Sequence, residues 1–121
     1  MFADYRVPQI LHHLRILEYP SFLVEKLRTG TYLPPGSREE ISLRAASIIA
    51  VEHVRQEILR FRDSLAKNND RDETSDDEIS SVLIDFYLWD LAKKIEKGEE
   101  QVQGVKTADM VPAHRTRSIW Y

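Results

Sequence analysis

Apolar residues return every three or four positions along most of this chain, the pattern of helices that each bury one face. In the first stretch Val7, Ile10, Leu11, Leu14 and Leu17 follow Asp4, whose carboxylate suits a helix N-cap. Pro8 falls in the first turn, where a missing N–H costs little. A second, short helix is predicted from Pro20 or Ser21 to just before Gly30, a residue suited to the left-handed position past a helix end. The prolines of "YLPPGS" then interrupt the chain, because each fixes its own φ and restricts the residue before it. Ser37 and Glu40 form an S-x-x-E capping box, and behind them Ile41, Ala45, Ile48, Val51, Val54, Ile58, Phe61 and Leu65 trace one stripe. That spacing predicts a long amphipathic helix from about Arg38 to Ala66. A second capping box, Ser75 with Glu78, predicts a fourth helix running to about Lys97 and stopping at Gly98. Its sequence "ISSVLIDFYLWDLAKKI" is apolar on nearly every side, as expected of a central helix.

Residues 67–75 read as an acidic, solvated loop, and residues 98–121 have no period. The two aromatic residues that close "HRTRSIWY" predict a docked tail rather than a loose one. No internal repeat and no well-alternating strand is present, so the expected architecture is all-α, a bundle of about four helices in one domain over 1–121. Composition agrees: 42% hydrophobic and 31% charged residues are the profile of a soluble globular chain. A net charge of −3 gives no reason to expect long-range attraction to nucleic acid or an anionic membrane. It does not exclude a local phosphate site, which needs only one or two well-placed arginines. The lack of cysteine excludes disulfides, zinc-thiolate centres and thiol catalysis. No apolar run approaches the roughly 18–20 residues of a membrane helix, and no signal peptide is visible, so the cytoplasm or nucleus is the expected location.

Among residues that could carry chemistry, Asp90 falls on one face of the fourth helix with Ile79, Leu83 and Phe86. Its carboxylate is therefore expected to point at the core, where an unpaired charge is costly. Two readings stand: an ion pair with an arginine of a neighbouring helix, or a ligand contact with Trp89 beside it as an aromatic wall. Asp85, off that stripe, reads as structural. Arg44, Glu52 and Arg55 on the third helix read as helix-supporting ion pairs. His12, His13, His53 and His114 share no metal-ligand spacing, and neither a glycine-rich phosphate loop nor a nucleophilic elbow occurs. Asp4, Tyr5 and Arg6 place a carboxylate, a phenol and a guanidinium side by side; by itself Asp4 would be only an N-cap.

Four segments resemble, in order, those of the queuosine salvage family of queuosine-5′-phosphate N-glycosylases. "FADYRVPQILHHL" is similar to the family's A-D-Y-R-V-P-Q segment, and "EISLRAASIIAVEHVR" to its arginine-containing helix. "LIDFYLWD" resembles its Tyr-Leu-Trp-Asp helix, and "PAHRTRSIWY" its H-R-x-R-x-I-x-Y ending. The resemblance implies a helical fold similar to the helix-hairpin-helix group of DNA glycosylases. It implies hydrolysis of the bond between ribose and the 7-deazaguanine base queuine, with no metal or other cofactor and no direct nucleic-acid partner. Asp4 would then be the catalytic carboxylate, with Trp89 and Asp90 in the substrate pocket and Tyr5 and Arg6 near ribose or phosphate. The small-molecule substrate would be queuosine 5′-phosphate. The chain is expected to correspond to roughly the last third of longer family members, through truncation or a gene start placed too far downstream, and not to act alone. The alternative, from another class, is a non-catalytic helical interaction module.

Overall fold

Prolines at positions 20, 34 and 35 divide the first half of the chain into three helices, and a polar stretch precedes the last. The computed structural model describes residues 5–69 and 79–116. Over these it shows α1 (Arg6–His13), α2 (Ser21–Arg28), α3 (Arg38–Asn69) and α4 (Ser81–Glu96). The fold is all-α with four helices; among the described residues no strand occurs beyond one isolated parallel bridge, Tyr32 to Arg115. No helix among the described residues is long and apolar enough to cross a membrane.

The short helix α1 is the hub. Val7, Pro8, Gln9, Ile10 and Leu11 are five consecutive buried residues, which an eight-residue helix achieves only if neighbours cover it on several sides. Helix α4 packs most extensively against it, and α3 adds a further wall. Val7, Ile10 and Leu11 meet Ala50 and Val51 of α3 and Ile84, Leu88, Leu91 and Ala92 of α4 in one core. Each buried Val, Leu or Ile contributes roughly 1.5–3 kcal/mol relative to exposure. A second core joins Leu23 and Leu27 of α2 to Leu33, Leu43 and Val111, the last from the segment after α4.

That segment lies back over the molecule. The Ala108 N–H donates to the His13 carbonyl at 2.8 Å, satisfying an otherwise orphaned last-turn acceptor of α1. Gln9 Nε2 donates to the Val111 carbonyl at 3.1 Å. Further on, the Leu33 N–H donates to the Arg115 carbonyl at 2.8 Å, and the Thr116 hydroxyl to the Leu33 carbonyl at 2.8 Å.

Helix ends follow the sequence signals with two revisions. The α3 cap is half of a capping box: the Glu40 N–H donates to Ser37 Oγ at 3.4 Å. The Glu40 carboxylate, only 1% exposed, accepts from the Gly36 N–H at 3.0 Å and pairs with Arg44 at 2.7 Å. Helix α3 also runs through Asn69, so residues 67–69 of the expected loop are helical. The start of α4 is Ser80, whose Oγ accepts from the Leu83 N–H at 3.3 Å. Ser75 and Glu78, and the rest of the acidic stretch over 70–78, lie outside the described residues.

The face of α4 that carries Leu83, Phe86 and Asp90 is exposed, not buried. With apolar residues all round, the helix could have rolled either way. Ile84, Leu88, Leu91 and Ala92 match the α1 surface, and their side won. The α3 stripe is likewise largely outside: Ile41, Ile48, Phe61 and Leu65 are exposed, while Leu43, Ser47, Ala50 and Val51 face inward.

Candidate active site

Tyr5 is the N-cap of α1 and Arg6 its first residue, so the core packing of Val7 to Leu11 fixes where both point. The Arg6 guanidinium carbon lies 5.6 Å from the Tyr5 ring centre and 5.7 Å from that of Trp89. Cation–π contact at such distances contributes roughly 0.5–1 kcal/mol at exposed sites and more when desolvated. Arg6 also pairs with Glu96, at the end of α4. The hydrogen bond to Glu96 raises the Arg6 pKa, outweighing the opposing effect of burial. Lys93 Nζ stands 5.1 Å from the Trp89 ring centre. Trp89, Lys93 and Glu96 are spaced by four and three residues and share one side of α4, facing the start of α1.

Three of the expected site residues, Tyr5, Arg6 and Trp89, are thus brought together. Asp90 is not part of this cluster. Its side chain is 55% exposed and pairs with Lys94 at 2.8 Å, one turn along the same helix. The expectation that it points into the core is corrected: the buried carboxylate of α4 is Asp85, 7% exposed. Asp4 lies outside the described residues, as does Arg117. On α3, Glu52 pairs bidentately with Arg55 at 2.7 and 2.9 Å, whereas Arg44 turns to Glu40.

Beside Tyr5 opens a cavity of about 560 Å³ lined by Tyr5, Gly30, Tyr32, Ala113, His114, Arg115 and Thr116. Gly30 takes φ +71°, and a Cβ there would stand 3.7 Å from the Arg115 guanidinium carbon. The arginine therefore lies over the glycine along the cavity wall. No sequence periodicity announces this wall, because Tyr32 and Arg115 belong to irregular segments. Lys93 and Glu96, by contrast, could have been found from their helical spacing to Trp89. Among the described residues no cluster of three or more potential metal ligands forms.

Residues 1–121 match the queuosine salvage protein family throughout, and the chain belongs to that family. It is 40% identical over 121 residues to the queuosine 5′-phosphate N-glycosylase/hydrolase of Mus musculus, covering all of this chain and 31% of the relative. The bearers of the same name in Schizosaccharomyces pombe and Sphaerobacter thermophilus are 37% and 34% identical, over 100% and 99% of this chain. In these two the match covers 30% and 29% of the relative. The chain therefore spans about 30% of the length of the curated relatives it matches.

Proposed function

We propose that this chain contributes the sugar- and base-contacting part of a site that hydrolyses the N-glycosidic bond of queuosine 5′-phosphate and releases queuine. The observation that carries the reading is the meeting of two family motifs through one side chain. Arg6 of the Asp-Tyr-Arg segment sits against Trp89 of the Trp-Asp segment, in a chain that matches the family from end to end. The four helices would belong to a larger fold of the helix-hairpin-helix, DNA-glycosylase type.

Cleavage of an N-glycosidic bond develops positive charge on the ribose, as in an oxocarbenium-like transition state. A fixed carboxylate beside that carbon stabilises the charge, most strongly where water is excluded. Asp4, bonded to Tyr5 in the chain, fills this role by stabilising the cation, orienting water or attacking covalently. A 7-deaza base lacks the ring nitrogen that would otherwise be protonated on departure, so the carboxylate carries more of the barrier reduction. Trp89 offers its ring to the flat base. Asp90, exposed at the neighbouring position, accepts from the base's N–H edge or from the cationic amine of its side chain. Tyr5 and Arg6 flank the ribose. Arg6 is held by Glu96, so it acts as a rigid strut between α1 and α4 more than as a mobile clamp.

The test is a chimera in which this chain replaces the matching part of the mouse relative. It should release free queuine from queuosine 5′-phosphate, and its Asp4→Asn variant should lose at least a hundredfold in kcat while still binding substrate. Turnover by Asp4→Asn close to that of the parent chimera would refute the assignment of Asp4. A folded chimera that releases no queuine would refute the hydrolase reading.

A further inference from the structure

We infer that Gln9 is a positioning residue for the site: its carboxamide sets the register of the returning segment, residues 108–116, along α1, and so places the cavity wall beside Tyr5. What that wall contacts rests on the reading above; the register itself does not. Three observations converge on it.

The first is order along one side of α1. Tyr5, Gln9 and His13 follow at intervals of four, so they share one face of the helix. The returning segment crosses that face in the opposite direction. The Ala108 N–H donates to the His13 carbonyl, Gln9 Nε2 donates to the Val111 carbonyl, and Ala113 and His114 line the cavity with Tyr5. Gln9 is therefore the last hydrogen bond between α1 and the segment before the cavity begins, and of the two bonds only this one is made by a side chain.

The second observation is the state of the carboxamide. Gln9 is 4% exposed, and among the described residues its Oε1 has no hydrogen-bond partner. An amide oxygen buried without a bond is unfavourable, and an apolar side chain of equal size would fill the same place without that penalty. Core packing alone thus does not account for glutamine at this position. Its bond to the segment does.

The third is the double commitment of Val111. Its side chain is buried with Leu27, Leu33 and Leu43, while its carbonyl is held from α1. Apolar contact fixes how deep the segment sits but is not directional, whereas a hydrogen bond also fixes orientation. Four residues on, the Arg115 carbonyl accepts from the Leu33 N–H, so a slip at Val111 is passed along the wall to that bond. With Tyr5 flanking the ribose, a displaced wall is felt in binding rather than in the bond-breaking step.

The test reads amide exchange by NMR on the chain itself. In Gln9→Met, which keeps the volume and removes the donor, the Leu33 amide should lose about fivefold in protection, the worth of one hydrogen bond, with the Leu88 amide inside α4 unchanged. Unchanged protection at Leu33, or an equal loss at Leu88, would overturn the inference. Gln9→Glu makes the comparison within a single protein. Burial keeps its carboxyl neutral at about pH 5, where the O–H donates to the Val111 carbonyl; the ionised form at about pH 8 has no proton to give. Protection at Leu33 should be close to that of the parent at the lower pH and fall at the higher. Other ionisable groups lie close by, His13 on α1, Asp109 and His114 on the segment and Arg28 paired with Asp109, so the parent chain is measured at both pH values. A Gln9→Glu chain with no larger pH dependence than the parent would also overturn the inference. In the chimera, Gln9→Met should raise KM for queuosine 5′-phosphate about fivefold with kcat unchanged, and a fall in kcat at constant KM would contradict a positioning role. A segment loosened by Gln9→Met in a chimera that forms no queuine would defeat the hydrolase reading and leave the register role of Gln9 standing.

Discussion

Arg6 shows how a single side chain can join helices that are remote in sequence. Its guanidinium meets a carboxylate and two aromatic rings, and a lysine could not do this with one planar group. Nearby, Tyr19 stacks on His12 with ring centres 4.1 Å apart and an interplanar angle of 5°, while His12 Nδ1 donates to the Leu17 carbonyl at 3.1 Å. Burial pushes the Tyr19 pKa well above the ordinary phenol value of 10.0. A group whose folded pKa is raised stabilises fully below its unfolded pKa and loses that contribution as pH rises toward the folded value. Stability should therefore decline above about pH 10, and Tyr19→Phe, which keeps the stack but has no proton to lose, should flatten that limb in urea titrations at pH 9 and 11. An identical slope in both proteins would contradict it. At this scale family motifs drew attention to Tyr5, Arg6 and Trp89, while Lys93 and Glu96, although set by helical spacing to Trp89, were not among the expected residues. The sequence misled at Asp90, because a helix apolar on all sides does not declare which side will be buried.

Helix termini show which signals a sequence can and cannot carry. Helices α1, α2 and α4 end in the same doubly bonded turn. The N–H groups of Arg15 and Ile16 bond the carbonyls of His12 and Leu11, those of Gly30 and Thr31 bond Leu27 and Lys26, and those of Gly98 and Glu99 bond Ile95 and Lys94. Two of these ends were readable because glycine supplies the left-handed residue. The third was not, because Arg15 adopts φ 61° against its own Cβ. Arg15→Gly should therefore raise stability by about 0.5–1 kcal/mol, the relief of left-handed strain less the greater freedom glycine has when unfolded. A lower melting temperature in that variant would show that the Arg15 side chain holds more than its backbone geometry reveals. The observed cap of α4, Ser80, has Leu83 and not a glutamate three residues on, so the capping-box pattern did not announce it.

For the molecule as a whole, the informative feature is the apolar surface it leaves open. Ile41, Ile48, Ile49, Ile58, Phe61 and Leu65 on α3, and Leu83, Phe86 and Tyr87 on α4, are all exposed, Phe61 to 67%. Along α3 a groove of about 730 Å³ is lined by Ile16, Ile49, Val54, Ile58 and Phe61 among others. Surface of this kind drives association in water. The chain should sediment as concentration-dependent oligomers, and replacing Ile49 and Phe61 together by glutamate should shift it to monomer with helicity intact; a monomer before any substitution would show the face to be tolerated. Helical periodicity made the α3 stripe visible but could not say that so much of it would face outward. The stripe continues past the end of what α1 can cover, since eight residues reach only about 12 Å. That brevity has a further result. With five successive positions of α1 enclosed and Arg6, the next residue upstream, held by Glu96 between two aromatic rings, the hub retains almost no idle surface on which to absorb change. Adaptation to a different ligand would have to be written into α4 or the returning tail, where side chains can be exchanged without unseating the whole assembly.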